Sequence, residues 1–160
     1  MFGKILVIDD DESVLKSLNK ILKLKSYQVD TVQNPAEIKS NPNLFIYNCI
    51  LLDVKMPGIN GMDLLNIIIK NFPTVPVIMI SGQSNINIAV EAIKNGAFDF
   101  IEKPIDPEKL LVTIQNAIQK QNLQTAKENI FHELSENYQM VGESRAIMNI
   151  FNQIDKVADT

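Results

Sequence analysis

Short apolar runs alternate with segments that have apolar residues at helical spacing, five times in succession. This alternation predicts a parallel α/β sheet with right-handed crossover connections. The predicted strands are Lys4–Asp9, Gln28–Val32, Tyr47–Asp53, Val75–Ile80 and Ala97–Ile101. The predicted helices are Glu12–Lys25, Pro35–Ser40, Met62–Phe72, Asn85–Asn95 and a long last helix that begins at Pro107. Residues 57–61 are predicted to form a turn, because they contain Pro and two Gly.

Polar and charged residues stand where several of these strands end. Asp9 and Asp10 close the first strand, Asp53 closes the third, Ser81 follows the fourth, and Lys103 follows the fifth. In open parallel sheets the functional crevice lies outside the carboxyl ends of the strands. These side chains are therefore expected to meet at one edge of the sheet.

Three carboxylates at one sheet edge suit a magnesium ion. Mg²⁺ is bound by oxygen ligands and keeps several waters, so one or two carboxylates and a phosphate form its usual site. Asp10 and Asp53 can supply the carboxylates, and the backbone carbonyl of Lys55 can supply a third oxygen. Asp9 is expected to act through water or to orient the other groups. Helix capping would explain one of Asp9, Asp10 and Asp11 but not all three.

Asp53 is the candidate nucleophile of this group. A carboxylate that attacks phosphorus forms an acyl phosphate, as in enzymes with an aspartyl-phosphate intermediate. The metal and the Lys103 ammonium would neutralise the charge on the phosphoryl oxygens. The sequence therefore predicts Mg²⁺-dependent phosphoryl transfer to Asp53.

Composition excludes several other classes of protein. The formal net charge is −4 and Arg145 is the single arginine, which argues against a nucleic-acid-binding surface. One cysteine, Cys49, allows no internal disulfide and suits a reducing compartment. No run of residues resembles a signal peptide or a membrane span, so a cytoplasmic protein without membrane contact is expected.

The sequence becomes more polar after residue 120. Residues 1–120 are assigned to the α/β domain, 121–138 to a helical linker, and 139–160 to the start of a further domain. Leu123, Ala126, Ile130 and Leu134 keep a thin apolar seam in the linker. Two interpretations stay open for it, a solvent-exposed linker helix and a marginal dimeric coiled coil.

Four motifs together resemble those of bacterial two-component response-regulator receiver domains. They are Leu6-Val7-Ile8-Asp9-Asp10-Asp11-Glu12, Leu51-Leu52-Asp53-Val54-Lys55-Met56-Pro57-Gly58, Ile80-Ser81-Gly82 and Phe100-Ile101-Glu102-Lys103-Pro104. The resemblance covers about three quarters of the chain and implies a flavodoxin-like (βα)₅ fold with strand order 2-1-3-4-5, plus the helical linker. Residues 81–104 look most like the NtrC class, and within it the NtrX-like regulators. Val141-Gly142-Glu143-Ser144 and the following residues are similar to the start of the σ54-interacting AAA+ domain of that class.

The resemblance also implies roles for individual residues. Asp53 would accept a phosphoryl group from a sensor histidine kinase, and Lys103 would pair with the phosphate. Ser81 would be the switch hydroxyl and Phe100 the switch aromatic, with a cis peptide bond before Pro104. Because Phe100 replaces a tyrosine, the switch would depend on ring position alone. The domain would be a signalling acceptor and not an enzyme, with at most slow self-dephosphorylation.

Partners are implied in the same way. A homodimer is expected, formed either through the face of residues 85–118 or through the linker helix. Contacts with σ54-RNA polymerase and DNA would belong only to domains outside these residues, because no G-x-x-x-x-G-K-[ST] loop and no helix-turn-helix pattern is present.

Two alternative functions remain. Asp9-Asp10-Asp11-Glu12-Ser13 fits the D-x-D-x-[ST] motif of haloacid-dehalogenase-like phosphatases, with Asp9 as nucleophile and Asp11 as general acid. That interpretation leaves Asp53 and the Met56-Pro57-Gly58 turn unexplained. The second alternative is a pseudo-receiver that binds partners without being phosphorylated.

Overall fold

Five parallel strands form one sheet. The computed structural model describes residues 3–39, 43–82 and 86–139. The sheet strands are β1 (Lys4–Ile8), β2 (Gln28–Val32), β3 (Cys49–Asp53), β6 (Val77–Ser81) and β7 (Asp99–Glu102), and the short strands β4 (Lys55–Met56) and β5 (Ile59–Asn60) form a separate hairpin. Counted without the hairpin, the strand order is 2-1-3-4-5, so the predicted flavodoxin-like topology is confirmed.

Four helices lie between strands along the chain, and a fifth follows β7. They are α1 (Glu12–Leu24), α2 (Ala36–Lys39), α3 (Gly61–Asn71), α4 (Ile86–Lys94) and α5 (Pro107–Gln139), and Leu44–Ile46 forms a 3-10 turn. The chain divides into two units, Met1–Gln124 and Thr125–Thr160, and the first contains the whole sheet. The predicted boundaries 1–120, 121–138 and 139–160 stay predictions, and residues 140–160 lie outside the described residues.

The sheet is buried on both faces, which is why its central strands are apolar throughout. All five residues of β3 and of β6 are buried. Two clusters of apolar side chains cover the faces. One contains α3 residues such as Leu64, Leu65 and Ile68, and the other contains Leu18 and Leu22 of α1 with Ile114 of α5. Continuous apolar strands of this kind are typical of parallel sheets covered by helices.

Three strands begin two residues later than the sequence pattern predicts. They are β3, β6 and β7, which begin at Cys49, Val77 and Asp99 and not at Tyr47, Val75 and Ala97. The Tyr47 backbone N–H donates to the Leu44 carbonyl, that of Val75 to the Phe72 carbonyl, and that of Ala97 to the Ala92 carbonyl. In each place a turn or helix end takes the backbone donor that the ladder would have needed.

The predicted turn of residues 57–61 overlaps a small antiparallel hairpin. Lys55 pairs with Asn60 and Met56 pairs with Ile59, so that the Pro57-Gly58 turn joins two strands of two residues each. Asn60 then caps α3, where its side-chain oxygen accepts from the Met62 N–H. The hairpin therefore connects the end of β3 directly to the start of α3.

The first residue of α3 approaches the end of β3 so closely that it has no room for a side chain. The Gly61 N–H donates to the Val54 carbonyl at 2.9 Å. A Cβ built on Gly61 would lie 2.8 Å from the Val54 Cα and 2.9 Å from the Val54 oxygen, and would also contact the Asp53 carbonyl. Only glycine allows this approach, which positions the backbone next to Asp53.

We expect Gly61→Ala to lower the free energy of unfolding by about 1–3 kcal/mol, because backbone atoms must move to admit the methyl group. Alanine is otherwise the better helix former. Gly82→Ala is the matched control, since a Cβ there would meet only the Lys103 Cδ at 3.9 Å. Urea denaturation of both variants measures the difference. A Gly61→Ala variant as stable as the wild type would show that the approach is not tight.

The long helix α5 changes character along its length. Leu110, Ile114 and Ala117 are buried against the sheet. In the second unit Ile130 and Phe131 are 57% and 52% exposed. Both interpretations of the linker, an exposed helix and a dimeric coiled coil, are compatible with these exposures. In residues 3–39, 43–82 and 86–139 no helix is long and apolar enough to span a membrane.

Candidate functional site

Neighbouring strands bring four polar side chains to one edge of the sheet. Asp9 directly follows β1, Asp53 ends β3, Ser81 ends β6, and Lys103 directly follows β7. β1, β3, β6 and β7 are consecutive neighbours in the sheet, and all of them run parallel. The Lys103 N–H donates to the Ser81 carbonyl at 2.7 Å, which fixes the loop after β7 to the end of β6.

Lys103 joins two carboxylates. Its Nζ lies 2.7 Å from Asp9 Oδ2 and 2.7 Å from Asp53 Oδ1. The two carboxylate side chains are only 2% and 5% exposed, whereas the Lys103 side chain is 24% exposed. A buried carboxylate is costly without a charged partner, so the ammonium stabilises both acids. The predicted convergence of Asp9, Asp53 and Lys103 is thus present in the structure.

Burial and charge act in opposite directions on the pKa values of this group. Burial would lower the pKa of Lys103, but the hydrogen bonds and charges of Asp53 and Asp9 outweigh it, so the pKa lies above its ordinary 10.5. Burial raises the pKa of Asp53 above 3.8, and the charge of Asp9 adds to this rise, while Lys103 and the Lys55 N–H oppose it. The lysine therefore stays charged at neutral pH.

The remaining carboxylate oxygens are also hydrogen-bonded. Asp53 Oδ2 accepts from the Lys55 N–H at 2.7 Å, and Asp9 Oδ1 accepts from the Asp11 N–H at 2.9 Å. Both Asp9 oxygens therefore have partners, which suits the predicted orienting role of Asp9. The Lys55 N–H was not predicted as a donor to Asp53; the role predicted for Lys55 was that of its carbonyl as a metal ligand.

Asp10 is placed differently from the other acids. It is half-buried and lines a cavity of about 740 Å³ together with the β4–β5 hairpin and residues of α3 and α4. Its backbone carbonyl accepts from Gln33 Nε2 at 3.1 Å. The Asp10 carboxylate forms no ion pair with Lys103, in contrast to Asp9 and Asp53. No sequence motif indicates this contact, because Gln33 is an exposed residue after β2 and Asp10 lies after β1.

The donors at this edge fit a hard cation. The predicted ligands are the carboxylates of Asp10 and Asp53 and the backbone carbonyl of Lys55, and this ligand set stays a prediction. No group of three or more His, Cys, Asp or Glu side chains suited to a metal occurs in the described part of the chain. Mg²⁺ does not need one, because it is usually held by one or two carboxylates, waters and a substrate phosphate. Cys49 is fully buried on β3, and burial raises the pKa of its thiol, so it offers no soft ligand here.

The two predicted switch residues lie on the strands beside this site. Ser81 is 2% exposed at the end of β6. Phe100 is half-buried on β7, where it contacts the same apolar cluster as α3 and α4. The Lys103-Pro104 peptide bond is cis, as the sequence resemblance implies. The roles of Ser81 and Phe100 in a switch stay predictions.

Comparison with known proteins agrees with this geometry. Residues 5–115 match the family model described as the response regulator receiver domain. The chain belongs to the response regulator receiver domain family. The receiver domain is a signalling domain and not a classical enzyme, and the family match gives no support to the haloacid-dehalogenase-like alternative.

The sequence relatives of this receiver domain include regulators of the NtrC and NtrX type. NtrX of Azorhizobium caulinodans is 36% identical over 167 residues, which cover 100% of this chain and 36% of the relative. The transcriptional regulator NtrC of Proteus hauseri is 30% identical, with 98% of this chain and 33% of the relative covered. This receiver domain chain therefore spans about a third of the length of these curated relatives.

Solved structures show the same fold. The beryllofluoride-activated NtrC4 receiver domain dimer has a TM-score of 0.70 and 37% identity, over 76% of this chain and 99% of that one. NtrX from Brucella abortus in complex with ATP has a TM-score of 0.69 and 30% identity, over 99% of this chain and 35% of that one. The prediction of an NtrC/NtrX-type receiver domain is confirmed.

Proposed function

We propose that this receiver domain accepts a phosphoryl group on Asp53 from a sensor histidine kinase in a Mg²⁺-dependent reaction. The observation that carries the proposal is the Lys103 ammonium, 2.7 Å from Asp53 Oδ1 and 2.7 Å from Asp9 Oδ2 at the carboxyl edge of the sheet. This arrangement places the Asp53 carboxylate beside a positive charge that Asp9 also holds. Phosphoryl transfer needs such positioning and charge more than it needs covalent chemistry.

In the proposed reaction, a lone pair of an Asp53 oxygen forms a bond to phosphorus while the bond from phosphorus to the kinase imidazole nitrogen breaks. Lys103 changes from a partner of the carboxylate to a partner of the phosphoryl oxygens. The Lys55 N–H holds Asp53 Oδ2 at 2.7 Å and so orients the carboxylate. Asp10, Asp53 and the Lys55 carbonyl would hold Mg²⁺, which would offset the charge of the phosphoryl group. Asp9 would act through water or orient the other groups.

The proposed output is a change in self-association. Ser81 would donate to the new phosphoryl oxygens, and Phe100 would move into the space that the hydroxyl leaves. α4 presents an apolar stripe at helical spacing for a second copy, since Ile86, Val90 and Ile93 are 77%, 47% and 47% exposed. The similar NtrC4 receiver domain is a dimer. The linker helix, with Ile130 and Phe131 exposed, is the other candidate surface.

We further propose that control of transcription depends on domains outside the receiver domain. The relatives are transcriptional regulators, and this chain matches only about a third of each. In this proposal residues 139–160 begin an AAA+ domain that contacts σ54-RNA polymerase, and DNA is bound by another domain. The protein would act in the cytoplasm, where sensor kinases present their phosphohistidine.

The function is tested by intact mass spectrometry after incubation with acetyl phosphate. We expect one phosphoryl adduct per chain in the presence of Mg²⁺, and its loss when EDTA is added, because the metal offsets charge in the transition state. Circular dichroism confirms that the protein is folded in both samples. A folded protein without an adduct would contradict the proposal and favour the pseudo-receiver, and an adduct insensitive to EDTA would exclude the proposed metal role.

A further inference from the structure

A second cavity lies at the edge of the sheet that is remote from Asp53. It has a volume of about 410 Å³ and is lined by residues before β6, by the end of α4, by residues before β7, and by one side of α5. Asp53 stands at the opposite, carboxyl end of its strand. A five-residue strand spans about 16 Å, so the cavity is separate from the phosphoacceptor site.

Most of the residues that line this cavity are apolar and one is charged, while polar and apolar atoms make similar contributions to its exposed wall. Ile69, Val75, Ile93, Phe98 and Ala117 are among the apolar residues of its wall. The charged residue is Lys120, whose Nζ lies 5.6 Å from the centre of the Phe98 ring. No aspartate or glutamate lines the cavity, and Lys120 has no carboxylate within ion-pair distance in residues 3–39, 43–82 and 86–139.

Three uncharged polar side chains complete the wall, those of Thr74, Gln121 and Gln124. Gln121 is already held by the two residues before β3, since its Oε1 accepts from Asn48 Nδ2 at 3.4 Å and its Nε2 donates to the Tyr47 carbonyl at 3.5 Å. These bonds fix α5 near the end of the first unit. The cavity therefore combines apolar side chains, a cation that has no ion-pair partner among the described residues, and a few hydrogen-bonding groups.

We propose that this cavity binds a small carboxylate with an apolar body. The carboxylate pairs with Lys120, and the apolar body lies against Phe98, Ile93 and Ile69. Sites of small ligands are usually cavities of roughly 300–1,000 Å³ in which a few convergent polar groups stand among apolar side chains. A phosphate is disfavoured, because phosphate sites use arginine pairs or several backbone N–H groups, and the wall offers one ammonium.

Such a ligand would act on the elements through which phosphorylation of Asp53 is proposed to change self-association. It would contact the end of α4, the approach to β7, and α5 where Gln121 is anchored. A ligand shifts a conformational equilibrium when it binds one state better than the other. The site would thus let a small carboxylate adjust the position of α5 independently of phosphorylation at Asp53.

Titration of the ¹⁵N-labelled chain with hexanoate tests this site, in buffer without Mg²⁺ or phosphodonor. We expect saturable shifts of the Thr74, Phe98, Gln121 and Gln124 amides, with a Kd on the order of 1 mM for so small a ligand. Hexanamide and hexylamine, which keep the chain but lack the negative charge, should bind at least about tenfold more weakly, because the pairing with Lys120 is lost.

Lys120→Met is expected to raise the Kd of hexanoate about fivefold or more, whereas Lys20→Met, an exposed lysine of α1, should leave it unchanged. Equal affinities in wild type and Lys120→Met would overturn the proposal. So would binding of hexylamine as tight as that of hexanoate, or shifts that do not saturate. Since the titration involves no phosphoryl transfer, either result leaves the function of Asp53 as a separate question.

Discussion

Asp53→Asn is expected to lower phosphoryl incorporation by at least about a thousandfold, since loss of a nucleophile removes the reaction and not only its efficiency. An amide oxygen has the shape of the carboxylate but is a far weaker nucleophile. Asparagine can still accept from the Lys55 N–H that now bonds Asp53 Oδ2 at 2.7 Å, so the fold should be retained. Intact mass after incubation with acetyl phosphate and Mg²⁺ measures the effect.

Two control variants distinguish loss of the nucleophile from a change in its surroundings. Asp63→Asn makes the same change on an exposed residue of α3 and should leave labelling unchanged. Asp9→Asn removes a partner of Lys103 but keeps Asp53, so labelling should be slower and still present. The opposite pattern, in which Asp9→Asn abolishes the adduct and Asp53→Asn keeps it, would favour the phosphatase-like alternative.

Lys103→Met is expected to lower the free energy of unfolding by roughly 3 kcal/mol at neutral pH, because removal of one partner leaves buried carboxylates without their counter-charge. Asp9 and Asp53 are 2% and 5% exposed, so water replaces the ammonium poorly. Urea denaturation measures the loss. Lys109→Met, an exposed lysine of α5, is the control and should change stability by less than about 0.5 kcal/mol.

The loss in Lys103→Met should depend on pH in a definite direction. Burial already raises the pKa of Asp53, and removing Lys103 takes away the largest effect that opposes the rise. The folded variant then binds a proton at a pH where the unfolded chain has released it. Stability relative to wild type therefore falls as the pH rises above the ordinary carboxyl range. The variant should lose most at pH 7 and least near pH 4.

A double variant tests whether the stability lost in Lys103→Met comes from the unpaired carboxylates. Adding Asp53→Asn to Lys103→Met removes one of the unpaired charges, so the double variant should be more stable than Lys103→Met alone. Equal stability of the wild type and Lys103→Met, or a larger loss at pH 4 than at pH 7, would show that the Lys103 contacts with Asp9 and Asp53 do not hold this edge of the sheet together.

The sequence was sufficient to predict the sheet and the convergence of Asp9, Asp53 and Lys103. Both depend on one regularity: apolar runs that end in polar residues become parallel strands whose carboxyl ends meet. The strand β2 was predicted with its observed bounds, Gln28–Val32. The starts of β3, β6 and β7 were wrong by two residues each, because turn bonds at Tyr47, Val75 and Ala97 are not visible in an apolar pattern.

Other parts of the site depend on contacts that a linear pattern does not contain. The β4–β5 hairpin consists of two-residue strands, too short for any alternation of apolar and polar residues. The bond from the Lys55 N–H to Asp53 depends on the backbone turn after β3, and the bond from Gln33 to the Asp10 carbonyl joins residues 23 positions apart. The cavity beside Lys120 is likewise formed by segments distant in sequence.

Chemical identification of the phosphorylated residue tests directly whether Asp53 is the phosphoacceptor. Wild-type protein labelled with acetyl phosphate and Mg²⁺ is reduced with borohydride, which converts an aspartyl phosphate to homoserine, and the peptides are sequenced by mass spectrometry. We expect homoserine at position 53 and aspartate at positions 9 and 10. Homoserine at position 9, or at another acid with Asp53 unmodified, would contradict the proposal that Asp53, paired with Lys103, accepts the phosphoryl group.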